Sequence, residues 1–246
     1  MTHDRLFEIL EQAGVRAEVP TPAASSTFSV RIEGGDADLP PDDVGDVLEV
    51  AGLALGIVYL NAAGKETRRR ITVRSVSSRG EVQQLYAYCH EREALRQFRV
   101  DRIKELLVLA TGEVIEDPKA FFDGLSGRDP TAEALSGVRH ALQILTFLAR
   151  CDGHFHPAEL SEIMEFVIFS SPNPSAVDEA RVRTYVSALY PDKASYFRSL
   201  RAVRFSGADQ MKRVVRAIKL VLDADGILDD AEFQWALEGQ SELPCN

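Results

Sequence analysis

Cysteine is scarce and scattered: Cys89, Cys151 and Cys245 are the three in 246 residues, with no Cys-x-x-Cys pair. That excludes a disulfide scaffold, which needs a denser and even set, and suits reduced thiols in a cytoplasm. Long apolar runs are missing too. The longest, Val50 to Leu60, is eleven residues, well short of the roughly 20 that cross a bilayer as a helix. The first ten residues carry Asp4 and Glu8 and lack a signal peptide's apolar core, so the chain reads as cytoplasmic rather than secreted. Positive charge is in the minority, with 28 Lys and Arg against 38 Asp and Glu, a formal net charge of −10 and a pI near 5.1. A coat for bulk nucleic acid is thereby excluded, since counterion release needs a basic surface. Catalytic fingerprints are also absent: there is no P-loop, no dinucleotide-binding glycine pattern and no nucleophile elbow. Cys89 and His90 are adjacent, and strand neighbours point to opposite faces, so they cannot serve as nucleophile and base. No enzyme is expected.

What is present is an ordinary globular composition, 45% hydrophobic and 27% charged, long enough for one large domain or two of common size. The charge is unevenly spread. From Leu60 to Glu105 there are eleven Lys/Arg against six Asp/Glu, which leaves 17 against 32 elsewhere. A basic patch sits inside an acidic protein. Within it, Leu85 to Cys89 alternates like a strand, His90 to Leu95 is a polar connection, and Arg96 to Val100 is a second short run with Phe98 and Val100 on one face. Arg92, Arg96, Arg99 and Arg102 fall within eleven positions. A guanidinium stays charged at any accessible pH, so each needs solvent or an anion. The anion is either internal, such as Asp101 or Glu93, or a phosphate.

The run Tyr88-Cys89-His90, Arg92, Arg96 and Phe98-Arg99-Val100-Asp101-Arg102-Ile103 resembles the end of the WYL domain, a small Sm-like β-barrel found in bacterial regulators. Upstream, Tyr59, Gly64 and Arg69 or Arg70 fit that family's strand tyrosine, hairpin glycine and arginine. The three letters naming the family fall on Gln83, Gln84 and Leu85, and Val73 stands where many members carry proline. The resemblance implies a ligand-sensing barrel, and the departures bear on which ligand it takes. The segment before it is too short for the winged-helix domain that such regulators usually carry.

The rest of the chain frames that barrel. Asp4 to Ala13 reads as a short amphipathic helix and Val19 to Ser26 as an irregular linker. Thr27 to Ile32 alternates as a strand. Barrel strands are expected near Gly56 to Asn61, Thr67 to Val73, Val82 to Cys89 and Arg96 to Val100, separated by the turn sequences Asn61-Ala62-Ala63-Gly64 and Ser78-Arg79-Gly80. Asp101 to Ala110 is expected as a terminal helix, and Thr111 to Pro130, rich in Gly and Pro, as an interdomain connection. Helical periodicity then covers Thr131–Arg150, Pro157–Phe169, Ser175–Leu189, Asp192–Arg204, Ala208–Leu222 and Asp230–Leu237. The expected fold class is α+β: a helix and linker over 1–45, a WYL-like barrel over 46–112, a linker over 113–130, and an all-helical domain over 131–246.

A short internal repeat lies in the helical part. Cys151-Asp152-Gly153-His154-Phe155-His156-Pro157-Ala158-Glu159 aligns with Ala224-Asp225-Gly226-Ile227-Leu228-Asp229-Asp230-Ala231-Glu232, 73 residues on. These turns resemble those of the TerB-like tellurite-resistance domain, and the likeness implies a divalent-cation site at Asp152, Glu159, Asp225 and Glu232, taking Ca²⁺, Mg²⁺ or Mn²⁺. The same residues also fit a plainer role, since aspartate and glycine end one helix and a first-turn glutamate caps the next. His154 and His156 beside Phe155 suggest zinc, but the second copy has Ile227 and Asp229 in their places.

The functional expectation is a non-enzymatic regulatory or sensor protein. Its barrel binds a phosphate-bearing ligand, a nucleotide or a short single-stranded nucleic acid. Arg92, Arg99 and Arg102 neutralise phosphates, Arg69 assists from a neighbouring strand, and Tyr59 or Tyr88 stacks on a base. The rivals are a divalent-metal-responsive scaffold acting through the helices, and a module that contacts a protein partner or a second copy through an exposed sheet edge.

Overall fold

The architecture follows from where the apolar residues of each strand fall. The computed structural model describes residues 47–79, 82–126, 129–226 and 230–240; the helix expected at Asp4 to Ala13 and the strand at Thr27 to Ile32 lie outside them. Six antiparallel strands, β1 (Val47–Leu60), β2 (Glu66–Arg79), β3 (Val82–Cys89), β4 (Ala94–Arg99), β5 (Ile103–Val108) and β6 (Val114–Ile115), pair in the order β4-β3-β2-β1-β5-β6. One face is buried: Leu53, Leu55 and Ile57 of β1, Ile71, Val73 and Val76 of β2, and Leu85, Ala87 and Cys89 of β3. Val73 and Val76 are three apart yet both point inward, because a register shift between Val73 and Ser75 inserts Arg74 as a bulge.

The ladder is open, so the closed barrel expected from sequence is not what forms. β4 and β6 end the sheet and do not pair with each other. The sheet nevertheless curls. Three strand spacings separate β1 from β4, about 14 Å if flat, yet the Tyr59 and Phe98 rings meet edge-on with centroids 5.2 Å apart.

Residues 101–110 do not form the expected α-helix. Val100–Arg102 is a single 3-10 turn, and β5 follows. Ile103, Leu106 and Leu107 have helix-like spacing in sequence, but pairing with β1 prevails. A register shift between Val58 and Tyr59 leaves Lys104 as the extra residue, so Ile103 and Leu106 both face inward.

Eight α-helices follow among the described residues. The stretch 113–130, expected to be a connection, holds β6 and α1 (Pro118–Ser126). The helix expected over 131–150 is two, α2 (Pro130–Gly137) and α3 (Arg139–Leu148), broken where Val138 leaves helical geometry at φ −113°, ψ 14°. Then come α4 (Pro157–Ser170), α5 (Glu179–Ala188), α6 (Lys193–Arg204), α7 (Ala208–Leu222) and α8 (Asp230–Gln240). Asp129, Asp178 and Asp192 cap α2, α5 and α6 by accepting first-turn amide hydrogens, which satisfies donors that a helix start otherwise leaves open. No helix among the described residues is long and apolar enough to cross a membrane.

Sheet and helices share one hydrophobic core that runs from Leu55 and Leu106 through Phe122 and Leu145 to Val214, and all described residues fall in one compact unit, Ile32–Asn246. α5 packs on β1 and β5, and α1 on β5. A backbone joint fastens the two halves. The Tyr190 amide donates to the Gly52 carbonyl at 2.6 Å, next to an antiparallel bridge between Leu53 and Leu189. Gly52 sits at φ +101°, and a Cβ there would stand 3.1 Å from the Pro191 Cα, so only glycine fits without strain.

Candidate functional site

Residues that point away from the core define the sheet's outer face. Ala54, Thr72 and Tyr88 are cross-strand neighbours on it, and Arg70 and His90 lie two residues from Thr72 and Tyr88 on the same side. Between this face and the helices is a cleft of about 810 Å³. Its sheet wall is Ala54, Arg70, Thr72 and His90, and its helical wall includes Arg150, His154, Phe155, Arg183 and Tyr190. A second hollow of about 370 Å³, lined by Arg68, Arg69, Arg70, Glu91 and Glu105, adjoins the cleft by sharing Arg70 and Leu109.

On the sheet wall the polar groups are paired. Glu91 holds Arg70 through Nε–Oε1 at 2.8 Å and also accepts the Arg70 amide at 2.8 Å. Burial alone would raise the Glu91 carboxyl, but the Arg70 hydrogen bonds outweigh it and hold the group below the usual range. Thr72 Oγ1 lies 2.9 Å from His90 Nε2, and Tyr88 meets the His90 ring edge-on at 5.3 Å.

The helical wall differs. Arg150 follows α3, where a long buried run ends. Its guanidinium lies 4.2 Å above the Phe155 ring and 5.2 Å from that of Tyr190, and Nη2 donates to the Ser187 carbonyl at 2.9 Å. Its Nε is buried without a hydrogen bond. Burial lowers the Arg150 pKa, which Tyr190 and Glu159 partly offset. Arg183 reaches the same wall from α5 and is exposed. Among the described residues no carboxylate lines the cleft, so the charge it presents is positive.

The six binding residues expected from sequence do not converge. Tyr59 is 6% exposed, packs on Phe98 and accepts the Arg99 amide at 3.4 Å; it is a core residue and offers no ring to a ligand. Arg99 is held bidentately by Asp101, at 3.0 and 2.7 Å. That pairing raises the arginine and, against burial, lowers the aspartate. Arg102 is half-buried in the 3-10 turn, and Arg92 is exposed in the β3–β4 turn. Arg69 lines the second hollow and Tyr88 flanks His90 at the cleft. Sequence reasoning missed Arg150, Arg183 and Tyr190. One signal was available for Arg150, an arginine closing an apolar helix.

The first acidic turn stops one helix and caps the next, and the second, over its described residues, stops a helix. Gly153 and Gly226 both have positive φ, 90° and 74°, and each donates its amide three residues back, to Arg150 and Asp223. Asp152 accepts the His154 amide at 2.7 Å, and buried Glu159 accepts that of His156 at 2.7 Å as part of a capping box. Asp225 is exposed, and the Glu232 side chain is outside the described residues. Among those residues no group of three or more His, Cys, Asp or Glu could hold a metal.

These strands and arginines can be set against known proteins. Residues 50–108 match the family model of the WYL domain. The WYL match runs from β1 to the end of β5 and takes in Arg70, Thr72, Tyr88 and His90, whereas Arg150, Phe155, Arg183 and Tyr190 lie beyond it. It lends no support to a TerB-like reading of the helices. No curated protein and no solved structure matches the chain. Within the matched segment Gln83 is buried and donates to Asp123 Oδ1 at 2.7 Å, Gln84 is half-buried, and Leu85 lies in the core.

Proposed function

We propose that the protein is a non-enzymatic regulatory sensor in which the outer face of the WYL-matched sheet binds a phosphate-bearing ligand, a nucleotide or a short single strand. The observation that carries this reading is the cleft of about 810 Å³ whose lining includes Arg70, Arg150 and Arg183, with no carboxylate among the described residues. Arginine recognises phosphate through paired, charge-assisted hydrogen bonds; Glu91 already holds Arg70, so that capacity rests chiefly with Arg150 and Arg183. The occurrence of WYL domains in regulators supports the sensing role. Fluorescence anisotropy of labelled ATP and of labelled five-nucleotide DNA and RNA across a salt series tests it. Saturable binding that weakens with salt is expected, with a log–log slope of about −2 for a strand held by about three phosphate contacts. No binding of any probe at low salt refutes it.

A second reading, contact with a protein partner or another copy, has its own observation. A hollow of about 390 Å³ between α4 and α7 sets Phe166, Phe169 and Leu220 among Glu162, Glu165, Arg213 and Arg216, and Phe169 is 75% exposed, an exposed aromatic rimmed by charge of the kind that occurs at interfaces. Sedimentation of the protein and of Phe169→Asp checks it, since a self-association site would be lost in the variant.

A further inference from the structure

We infer that the helices, not the strand arginines, anchor the ligand: Arg150 and Arg183 hold the phosphate of a small nucleotide in the cleft, with the Tyr190 ring beside its base. This rests on the phosphate-binding reading above and adds where the ligand is held and what class of molecule fits.

The two walls are electrostatically unlike. Arg70, Arg74 and Arg99 of the sheet each already have a carboxylate, from Glu91 at 2.8 Å, Asp192 at 3.0 Å and Asp101 at 2.7 Å. Arg150 and Arg183 are in no such carboxylate pair among the described residues; Arg150 feels Glu159 only through the coulombic pull that partly offsets its burial. Arg150 is the more telling, because it is half-buried and the counter-charge that acts on it, buried Glu159, is already engaged in the capping box of α4, which leaves part of the cost of burying the charge uncompensated. The rings of Phe155 and Tyr190 offset part of that cost and fix the guanidinium plane. Of five N–H donors, one meets the Ser187 carbonyl and the buried Nε meets nothing. A phosphate oxygen in the cleft is an acceptor for the Nη groups rather than for the enclosed Nε, and Arg183, entering from α5, adds a second cation on the same wall.

Size and ring placement select a nucleotide over a strand. About 810 Å³ lies within the roughly 300–1,000 Å³ usual for small-molecule sites. Tyr190 is 54% exposed, while Phe155 is half-buried. That offers a base one exposed tyrosine ring beside the arginines, with His90 and His154 as the other exposed rings of the lining, whereas single strands are held by a basic groove running past several large aromatic rings. Because Arg150, Arg183 and Tyr190 all lie outside the WYL-matched segment, the site is composite: the sheet forms one wall and the helices supply the anchor.

Calorimetric titration of the full chain with ATP, inorganic pyrophosphate and pentathymidylate tests this. Arg150→Gln and Arg183→Gln are each expected to weaken ATP by about tenfold or more, the loss of a charge-assisted contact, whereas Arg99→Gln keeps ATP within about twofold of wild type by the same reasoning. Tyr190→Ala should weaken ATP but leave pyrophosphate unchanged, which separates base stacking from anion binding. Arg183 and Tyr190 are exposed, so their variants remain informative if Arg150→Gln fails to fold. If wild type binds ATP and Arg183→Gln and Tyr190→Ala bind it equally well, the anchor is elsewhere; phosphate sensing stands and this inference falls. Pentathymidylate binding more tightly than ATP overturns the nucleotide assignment. If wild type binds none of the three, both readings fail together.

Discussion

Replacing Gly52 with alanine should loosen the joint between the sheet and the helices. Two costs add. The backbone at φ +101° is a conformation that costs a non-glycine residue about 1–3 kcal/mol. The new Cβ would also stand 3.1, 3.2 and 3.3 Å from Pro191 Cα, Pro191 N and Tyr190 C. These are backbone atoms that cannot rotate away, so the 189–191 segment must shift and weaken the 2.6 Å bond from the Tyr190 amide to Gly52, a further loss of about 1 kcal/mol. The sum is about 2–4 kcal/mol, or roughly 4–16 °C in Tm for a chain of this length. Gly64→Ala is the matched control. Gly64 also has positive φ, +72°, but a methyl group there would meet nothing within 4 Å, so it carries the backbone cost alone. Thermal and urea unfolding followed by circular dichroism reads both. Gly52→Ala should lose at least about 1 kcal/mol more than Gly64→Ala, the share assigned to the joint. Equal losses, or a Gly52→Ala protein that melts together with wild type, refute the argument that Gly52 is where the halves are fastened.

Other outcomes follow from the same structure. Burial pushes Tyr185 up to about 12; because its folded pKa lies above the unfolded value near 10, stability should be full below about pH 10 and fall as pH rises from about 10 to about 12, by about 2–3 kcal/mol. Urea midpoints of Tyr185→Phe should match wild type at neutral pH and fall less in alkali, with Tyr196, also raised by burial, keeping some slope. Asp129 runs the other way. Burial opposes its ionisation, but Arg181 and the amides of Ala132 and Thr131 hold it below the usual range, so its contribution is present above about pH 3.9 and lost as pH falls through the lowered folded value. Asp129→Ala should cost about 1 kcal/mol at neutral pH through the lost cap of α2 and flatten the acid limb of a pH–stability curve. Arg181→Met should be destabilising at neutral pH as well, since its guanidinium also donates to the Gly124 carbonyl at 2.6 Å and joins α1, α2 and α5.

Where a single periodicity ran uninterrupted, the elements were legible from sequence. Val82–Cys89 and Ala208–Leu222 fold over those same residues, because β3 alternates between half-buried and buried without a break and α7 sets Val214, Ala217 and Val221 on one face. Bulges and proline misled. Lys104 as a bulge gives a strand helix-like spacing. Pro118, read as linker punctuation, begins α1, with Asp117 Oδ1 accepting the Ala120 amide at 2.9 Å. At the candidate site the residue types were visible but not their pairing. Whether Arg99 meets Asp101 or a phosphate is decided by geometry two residues away, and Arg150 and Tyr190 are 40 positions apart until α5 and the Gly52 joint bring them to one cleft. The acidic repeat was visible as well, and both its readings were open; the amide contacts of Asp152 and Glu159 show the helix-capping one in use.

Hydrogen–deuterium exchange of the full chain with and without saturating ATP tests the central claim most directly, because it reports where the ligand sits rather than only that it binds. Protection is predicted on both walls at once, in peptides spanning Arg70–Thr72 and His90 on the sheet and Arg150–Phe155 and Ser187–Tyr190 on the helices. Protection confined to Arg92–Arg102 along β4, or no change in either wall, would contradict a phosphate site in the cleft.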